Sequence, residues 1–338
     1  MAAESAPARP PRPRLGPEPQ RLLIIVLGDY WYWRPEPVPS QVLVAVLGEF
    51  GITAMGARAA VRRLTQRGLV RRTKTGRTTS YGIPLRPADV IVARLKTLFD
   101  VAGETPWDGH WTGVAYSVPE DGREARRNLR DDLRLQGFGP LFDGLWVSPW
   151  DRQVPAHSAL ERHGVGAATV FRTELAGMAQ AEIVARAFDL RDPAERYRRF
   201  AERYEQVRRR VHAGEVGPRE ALRVRTELTA EWRYAELTDP RLPAELLPPD
   251  WPRASARACY RDIYDRLAEP ALRRFRELLG EVDPALAGLA TFHTSESVRR
   301  LPDGVAPPRA QETEFERATR EDRVRSMRRI IPRNPGSG

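Results

Sequence analysis

The sequence predicts a mixed α+β protein with more than one domain. Its 338 residues exceed one ordinary core, because a domain averages roughly 150 residues. Helical periodicity followed by a two-stranded pattern near the N-terminus gives way to a second pattern of strand, helix and strands, and then to mostly helical sequence. We therefore expect a helical unit with a hairpin, a small α+β unit and a helical unit, in that order.

Composition excludes several classes of protein. No apolar run approaches the roughly 20 residues that span a bilayer, so we expect a soluble chain with no membrane partner. The single cysteine, Cys259, excludes an intrachain disulfide and a multi-cysteine zinc site, which is typical of a reducing cytoplasm. The formal net charge of +10 points to polyanions, but a general excess of Arg, Ala and Pro is also typical of a GC-rich genome.

The N-terminal region combines three predicted helices with a hairpin. The first helix spans about residues 20–29, Ser40 is a natural N-cap for the second, and Thr53 can cap a third that ends at Gly68. Residues 69–83 then alternate as two strands around a turn at Thr75 and Gly76. This order is the layout of a winged helix-turn-helix, in which the last helix enters the major groove of DNA.

Positive charge is concentrated in the same region. Nine basic residues and no acidic one lie between Glu49 and Asp89. A guanidinium can bind either guanine edges or phosphates, and solvated helix charges are the alternative interpretation that so one-sided a pattern disfavours. The residues expected to contact DNA are Thr53, Met55, Arg58, Arg62, Arg63, Arg67, Arg71, Arg72, Lys74, Arg77 and Thr78.

The middle region is predicted to be a ferredoxin-like α+β domain. Strand patterns at residues 110–118, 144–148 and 168–171 surround a helical pattern at 124–136. Residues 157–163 contain two histidines and are expected to form a polar loop. We expect this scaffold to serve dimerisation.

Beyond residue 174 the pattern is helical. Asp192 to Glu195 resembles a capping box, and the apolar stripe that follows predicts a core face. Helical sequence resumes at 220–235 and 254–279, on either side of a proline-rich connection. Changes in pattern divide the chain into a disordered leader (1–19), a winged helix DNA-binding domain (20–86), a helical connector (87–106), a ferredoxin-like dimerisation domain (107–175), a helical C-terminal effector domain (176–290) and a mostly flexible tail (291–338).

Short stretches from all three domains match one known family in the same order. They are residues 27–30, 60–64, 67–69, 76–81, 107–111, 137–141, 144–149 and 238–252. The sequence thereby resembles PaaX-type transcriptional regulators, the repressors associated with aerobic phenylacetate catabolism, over about residues 20–280. The resemblance implies a homodimeric repressor that binds a palindromic double-stranded DNA operator and is released by an aryl-CoA thioester such as phenylacetyl-CoA.

An acyl-CoA effector requires an apolar slot for its acyl group and cations for its phosphates, and no resident cofactor is expected. The alternative for the candidate residues is that the tryptophans fill the core and the arginines lie on the surface. The effector-binding candidates are Arg199, Arg203, Trp232, Arg233, Tyr234 and Trp251.

Catalysis is the main alternative to regulation. The middle domain resembles a small CRISPR-associated metal-dependent nuclease, whose first strand ends in an aspartate, but residues 115–118 contain none. Glu120 and Asp121 lie in the following turn, and the five histidines lack a metal-ligand spacing. We therefore expect no catalytic or metal-binding residues and no enzyme. An activator of the same fold on unrelated genes and a module that does not bind DNA remain as alternatives.

Overall fold

The computed structural model describes residues 18–31, 34–84, 95, 96, 98, 99, 106–237 and 239–301. In these parts the chain forms twelve α-helices and two antiparallel sheets, which confirms the mixed α+β class. Residues 1–17 of the predicted leader, most of the predicted connector and the tail from residue 302 lie outside the described residues, and Pro19, the last residue of that leader, begins the first helix. Among the described helices, none is both long and apolar enough to cross a membrane.

Three helices and a three-stranded sheet form the N-terminal region. The sheet has the order β1-β3-β2, and Val38 and Pro39 pair with the end of the hairpin. Ser40, predicted to be an N-cap, is instead the first helical residue of its helix, because this pairing keeps Pro39 extended. The elements are α1 (Pro19–Tyr30), β1 (Val38–Pro39), α2 (Ser40–Gly48), α3 (Ala54–Gln66), β2 (Arg71–Thr75) and β3 (Thr78–Gly82).

The hairpin turn lies at Gly76 and Arg77, one residue later than the sequence indicates. Thr75 and Thr78 are the last paired residues, and Gly76 has a φ of 59°. A two-residue hairpin turn of this kind requires positive φ, which glycine adopts without steric cost. The turn presents Arg77 at the tip of the hairpin.

The middle region is a four-stranded sheet of order β5-β6-β4-β7 with helices on both faces. Helices α4 and α5 pack on one face and α6 on the other. The prediction of a polar loop at residues 157–163 is wrong, because Ala156, Ala159 and Leu160 form an apolar stripe that packs α5 onto the sheet. The elements are β4 (Trp111–Tyr116), α4 (Arg123–Leu135), β5 (Gly139–Phe142), β6 (Leu145–Ser148), α5 (Gln153–Arg162), β7 (Ala168–Thr173) and α6 (Gln180–Ala187).

Six further helices make up the C-terminal region. The predicted capping box is absent: its helix starts one residue earlier, and Asp192 and Glu195 pair with Arg196 and Arg199. Pro270 has no N–H for the carbonyl of the residue four positions earlier, and the helical sequence at 254–279 divides at Leu267. The helices are α7 (Arg191–His212), α8 (Pro218–Leu237), α9 (Arg253–Arg266), α10 (Ala268–Gly280), α11 (Pro284–Ala287) and α12 (Ser295–Arg299).

The N-terminal and C-terminal regions share one hydrophobic core. It runs without interruption from α1, α2 and α3 into α7 to α10, whereas the middle region has two other cores, one of which includes Leu242 of the C-terminal region. Tyr30 of α1 stacks on Phe275 of α10 with ring centroids 5.3 Å apart. The packed structure continues past residue 290: Val298 is fully buried, and the Thr291 N–H donates to the Tyr30 carbonyl.

A buried guanidinium crosses this shared core. Arg225 of α8 is fully buried. It donates to the Tyr30 hydroxyl (2.9 Å), the Tyr264 carbonyl (3.0 Å) and the His293 carbonyl (2.7 Å), and it lies 3.5 Å from the Asp29 carboxylate. Burial raises the pKa of Asp29, and Arg225 opposes that shift. The network therefore joins α1, α8, α9 and the segment before α12.

Replacing Arg225 with Met should lower the free energy of unfolding more than replacing an exposed residue nearby. Loss of one partner of a buried charge pair costs about 3–5 kcal/mol, because Asp29 and three other acceptors lose their donor. Urea denaturation measures the difference. Arg223→Ala on the same helix is the matched control, since that side chain is exposed. Equal midpoints for the two variants would contradict the importance of the network.

The unfolding free energy should also depend on His293. Burial, followed by the nearby Arg225, lowers its pKa from the ordinary 6.5 to about 3. Between these two values the unfolded chain holds a proton that the folded chain lacks, so the contribution of His293 to stability falls as the pH is lowered from 6.5 towards 3.

Urea denaturation of wild type and His293→Gln at pH 7.5 and pH 5 tests this. We expect wild type to lose more stability on acidification than the variant, by at most about 1.4 kcal/mol per pH unit below 6.5. Identical losses would show that His293 is not buried in its neutral form.

Candidate nucleic-acid interface

Helix α3 divides into a buried face and a basic face. Ala57, Ala60 and Leu64 are buried and hold the helix against α1 and α2. The helical period then leaves Arg58, Arg62 and Arg63 exposed. Such a helix can enter a groove of DNA with its cationic side chains leading.

The N-terminal end of α3 is capped by a side chain and exposed to solvent. The Thr53 hydroxyl accepts the Gly56 N–H at 3.2 Å, as the sequence predicts. Met55 is 80 % exposed, which is unusual for an apolar side chain unless it meets another surface. Both residues therefore lie where the helix would first meet a ligand.

The hairpin extends the basic surface. Every residue of β2 is exposed, including Arg71, Arg72 and Lys74, and so are Arg77 in the turn and Thr78 beyond it. Successive side chains of a strand point to opposite faces, so Arg71 and Arg72 lie on different sides of the hairpin. This cationic ribbon suits contact with phosphates.

Arg67 differs from the other predicted contacts. It is half-buried, and its Nη1 donates to Oε1 of Gln20 at 3.4 Å. Its guanidinium therefore ties the end of α3 to α1. The sequence could not show this, because the two residues are 47 positions apart.

The acidic residue nearest to α3 is neutralised inside the protein. Glu49 follows α2, its side chain is 6 % exposed, and its carboxylate receives one guanidinium from α8 and one from α10. Arg219 Nε lies 2.9 Å from its Oε2 and Arg274 Nη2 lies 2.9 Å from its Oε1. The basic surface is therefore not offset by this carboxylate.

The predicted effector residues do not form one site. Trp232 is fully buried and stacks on Tyr260 with centroids 5.0 Å apart. Arg199 and Arg203 are exposed and pair with glutamates of α7 and α8. Among the rest, Arg233 is exposed, Tyr234 lies under the guanidinium of Arg196, and Trp251 is half-buried with its ring edge against Tyr197.

A groove at the junction of the middle and C-terminal regions was missed by sequence reasoning. It has a volume of about 1050 Å³ between α6, the start of α7 and residues 245–248. A neighbouring pocket of about 390 Å³ shares its wall and is lined by Trp251. The walls are apolar at Val184, Phe188, Leu190, Leu246 and Leu247.

The charges around the groove are mostly compensated. Arg186 pairs with Glu182, and Arg198 lies 4.0 Å from Asp250. Arg191 lines both cavities, and no acidic side chain of the described residues lies within ion-pairing distance of it. The groove thus combines apolar walls with the guanidinium of Arg191, and the carboxylates of Asp189 and Glu245 also line it.

Among the described residues, no group of three or more His, Cys, Asp or Glu side chains could hold a metal ion. The buried Asp132 of α4 is instead compensated by Arg162 and by His163, whose Nε2 lies 3.0 Å away. This group stabilises the packing of α4 on α5.

Three profiles of one family match the chain in order. They are described as PaaX-like protein (residues 18–84), PaaX protein central Cas2-like domain (104–185) and PaaX-like protein C-terminal domain (188–277). The chain belongs to the PaaX family. This membership confirms the family resemblance and assigns a Cas2-like domain to the middle sheet.

A named relative and a solved structure are also similar to this PaaX-family protein. The transcriptional repressor PaaX of Escherichia coli strain K12 is 27% identical over 258 residues, covering 74% of this chain and 81% of that protein. An uncharacterized protein from Mycobacterium tuberculosis is 24% identical with a TM-score of 0.48, covering 74% of this chain and 94% of that one. Family and relative together support a DNA-binding transcription regulator, as expected, and not an enzyme.

Replacing Arg62 with Ala should weaken DNA binding by about 5- to 100-fold, because the lost group contacts either a base or a phosphate. Fluorescence anisotropy at several salt concentrations separates the two cases. A phosphate contact lowers the slope of log K against log salt by about 0.9, whereas a base contact relaxes sequence preference. Arg209→Ala, an exposed arginine of α7, is the control. Equal DNA affinities of the two variants would show that α3 is not part of the interface.

Proposed function

We propose that this PaaX-family protein is a ligand-released repressor that binds a palindromic operator as a homodimer. The observation that carries the proposal is the basic surface of α3 and the hairpin, which contains no acidic residue. In this proposal α2, α3 and the hairpin act as a winged helix-turn-helix, and the domains have the boundaries that the sequence indicates, except that the C-terminal domain includes the packed residues after 290.

The exposed positions suggest a division of labour in DNA binding. Arg58, Arg62 and Arg63 of α3 enter the major groove, where a guanidinium distinguishes guanine by its two acceptors. Thr53 and Met55 meet the DNA at the start of the helix. The hairpin residues Arg71, Arg72, Lys74, Arg77 and Thr78 contact the backbone beside the groove.

The middle region is proposed as the dimerisation domain. Its order of strands and helices, with β4 and β6 at the centre of the sheet, is that of a ferredoxin-like fold. A twofold axis in this domain places two copies of α3 at matching half-sites, which is what a palindromic operator requires.

The effector is proposed to be an aryl-CoA thioester such as phenylacetyl-CoA, and the interdomain groove is its proposed site. The apolar walls accept an aryl group, and Arg191 can pair with one anionic group of the ligand. Two contacts join the regions beside it: Trp107 N–H donates to Glu245 Oε1, and Trp150 Nε1 donates to the Arg241 carbonyl. A ligand that prefers another arrangement of these regions lowers operator affinity by the same coupling free energy.

Anisotropy of DNA from the protein's own upstream intergenic region, with and without phenylacetyl-CoA, tests the proposal. We expect tight, sequence-specific binding that the thioester weakens. In Arg191→Ala the same release should need about tenfold more thioester, because one charge-assisted contact is lost. The control Arg199→Ala should behave like wild type.

Sequence-specific binding that the thioester does not weaken would support a DNA-binding regulator and exclude this effector. Equal affinity for the upstream DNA and for random DNA would exclude the repressor hypothesis. A wild-type response to the thioester in Arg191→Ala, together with loss of the response in Arg199→Ala, would move the site from the groove to the outer face of α7.

A further inference from the structure

The two edges of the middle sheet differ in how they are protected. β5 contains Pro140, and its pairing with β6 shifts register between Pro140 and Phe142. Helix α6 packs directly against it, so closely that a side chain at Gly139 would overlap the Ala187 carbonyl. Proline, irregular pairing and a covering helix are the devices that keep an edge strand from joining another strand.

β7 has neither a proline nor a register shift, although α5 packs on its face. Its six residues contain neither proline nor glycine, and all of them pair with β4 in unbroken register. On its other side no strand of the described residues pairs with it. Thr169 is exposed and the remaining five residues are half-buried. This edge is regular, and its backbone is available for a further strand.

The one charge on β7 is compensated within the domain. Arg172 pairs with Asp108 and donates to the Thr112 hydroxyl at 3.0 Å. The ring of Phe171 lies over Gly113 of β4, where an added Cβ would come within 2.3 Å of it. An aromatic ring over a glycine stabilises a sheet without adding charge at its edge. The strand therefore contains no charge that opposes pairing.

We propose that β7 is a dimerisation edge, on which β7 of a second copy of this chain adds antiparallel to make a continuous eight-stranded sheet. This inference rests on the homodimer of the proposed function and names its surface. Antiparallel pairing is what a twofold axis normal to the sheet produces from two identical strands. The two half-sites of a palindrome are related by the same kind of twofold axis.

The sequence of β7 suits pairing with itself. In an antiparallel pair, two directly opposed residues point to the same face of the sheet. A twofold axis normal to the sheet must therefore pass midway between one residue and its own copy in the partner. Centred on Phe171, the pairing sets that ring opposite its own copy, Thr169 opposite Thr173 of the partner subunit, and Val170 opposite Arg172 of the partner subunit. The two arginines are not opposed, so no like charges meet.

The test exchanges charges at the opposed threonines of the full-length protein. Thr169→Lys with Thr173→Lys sets two lysine pairs across the axis, and we expect the dimer Kd to rise about tenfold or more. Thr169→Glu with Thr173→Lys replaces them by two ion pairs and should restore the wild-type Kd. The control is Val154→Lys with Ser158→Lys, which adds two lysines to the exposed face of α5 in the same domain.

Sedimentation equilibrium measures the dimer Kd, and circular dichroism checks that each variant is folded. A folded dilysine variant with the wild-type dimer Kd would show that the dimer does not form through β7, while the homodimer itself would stand. A wild type that stays monomeric at all concentrations would overturn both. Failure of the Glu/Lys variant to recover the dimer would refute pairing centred on Phe171.

Discussion

The arrangement of the N-terminal region on the C-terminal region depends on one buried guanidinium. Arg225 is fully buried, yet it is hydrogen-bonded to groups from α1, α9 and the segment before α12. A buried charge is tolerated only when its hydrogen bonds are satisfied, so these elements must stay in one arrangement. The ring of Tyr264 lies 3.7 Å from the same guanidinium and encloses it further. Helix α1, and with it α2 and α3, is thereby positioned by the C-terminal region.

Two domains that are far apart in sequence therefore behave as one packed unit. The shared core and the ion pairs of Glu49 with Arg219 and Arg274 connect α2 to α8 and α10. The middle sheet has two other cores, one of which includes Leu242 of this unit, and the groove beside Arg191 lies where the two meet. On the proposed mechanism, a ligand in that groove acts on the angle between the dimerisation sheet and the DNA-binding unit. It does not act within the winged helix.

The middle domain shows where local pattern is informative and where it is not. Strands β4, β6 and β7 are predictable, because their apolar residues face a core on at least one side. β5 was missed because it is short and contains Gly139 and Pro140, which usually mark turns. Helix α5 was missed because polar residues on its outer face hide the stripe that includes Ala156 and Leu160.

The candidate sites divide in the same way. Thr53, Arg58 and Arg62 could be predicted from sequence, since a cap and an exposed helix face follow from neighbours within a few residues. Trp232 could not be separated from a ligand wall, because only the packing of Tyr260 against it shows that it belongs to the core. The groove is formed by α6 and residues 245–248, which lie about sixty positions apart.

The sequence by itself determined the order of the three domains, the family and the basic surface without acidic residues, because each depends on composition and on spacing within short segments. Tertiary structure decided that the first and third domains share a core, that Glu49 is neutralised and that Arg67 turns towards α1. Glu49 and Arg274, for example, are 225 positions apart. Their free energy depends on burial and on hydrogen-bond partners that no local period encodes.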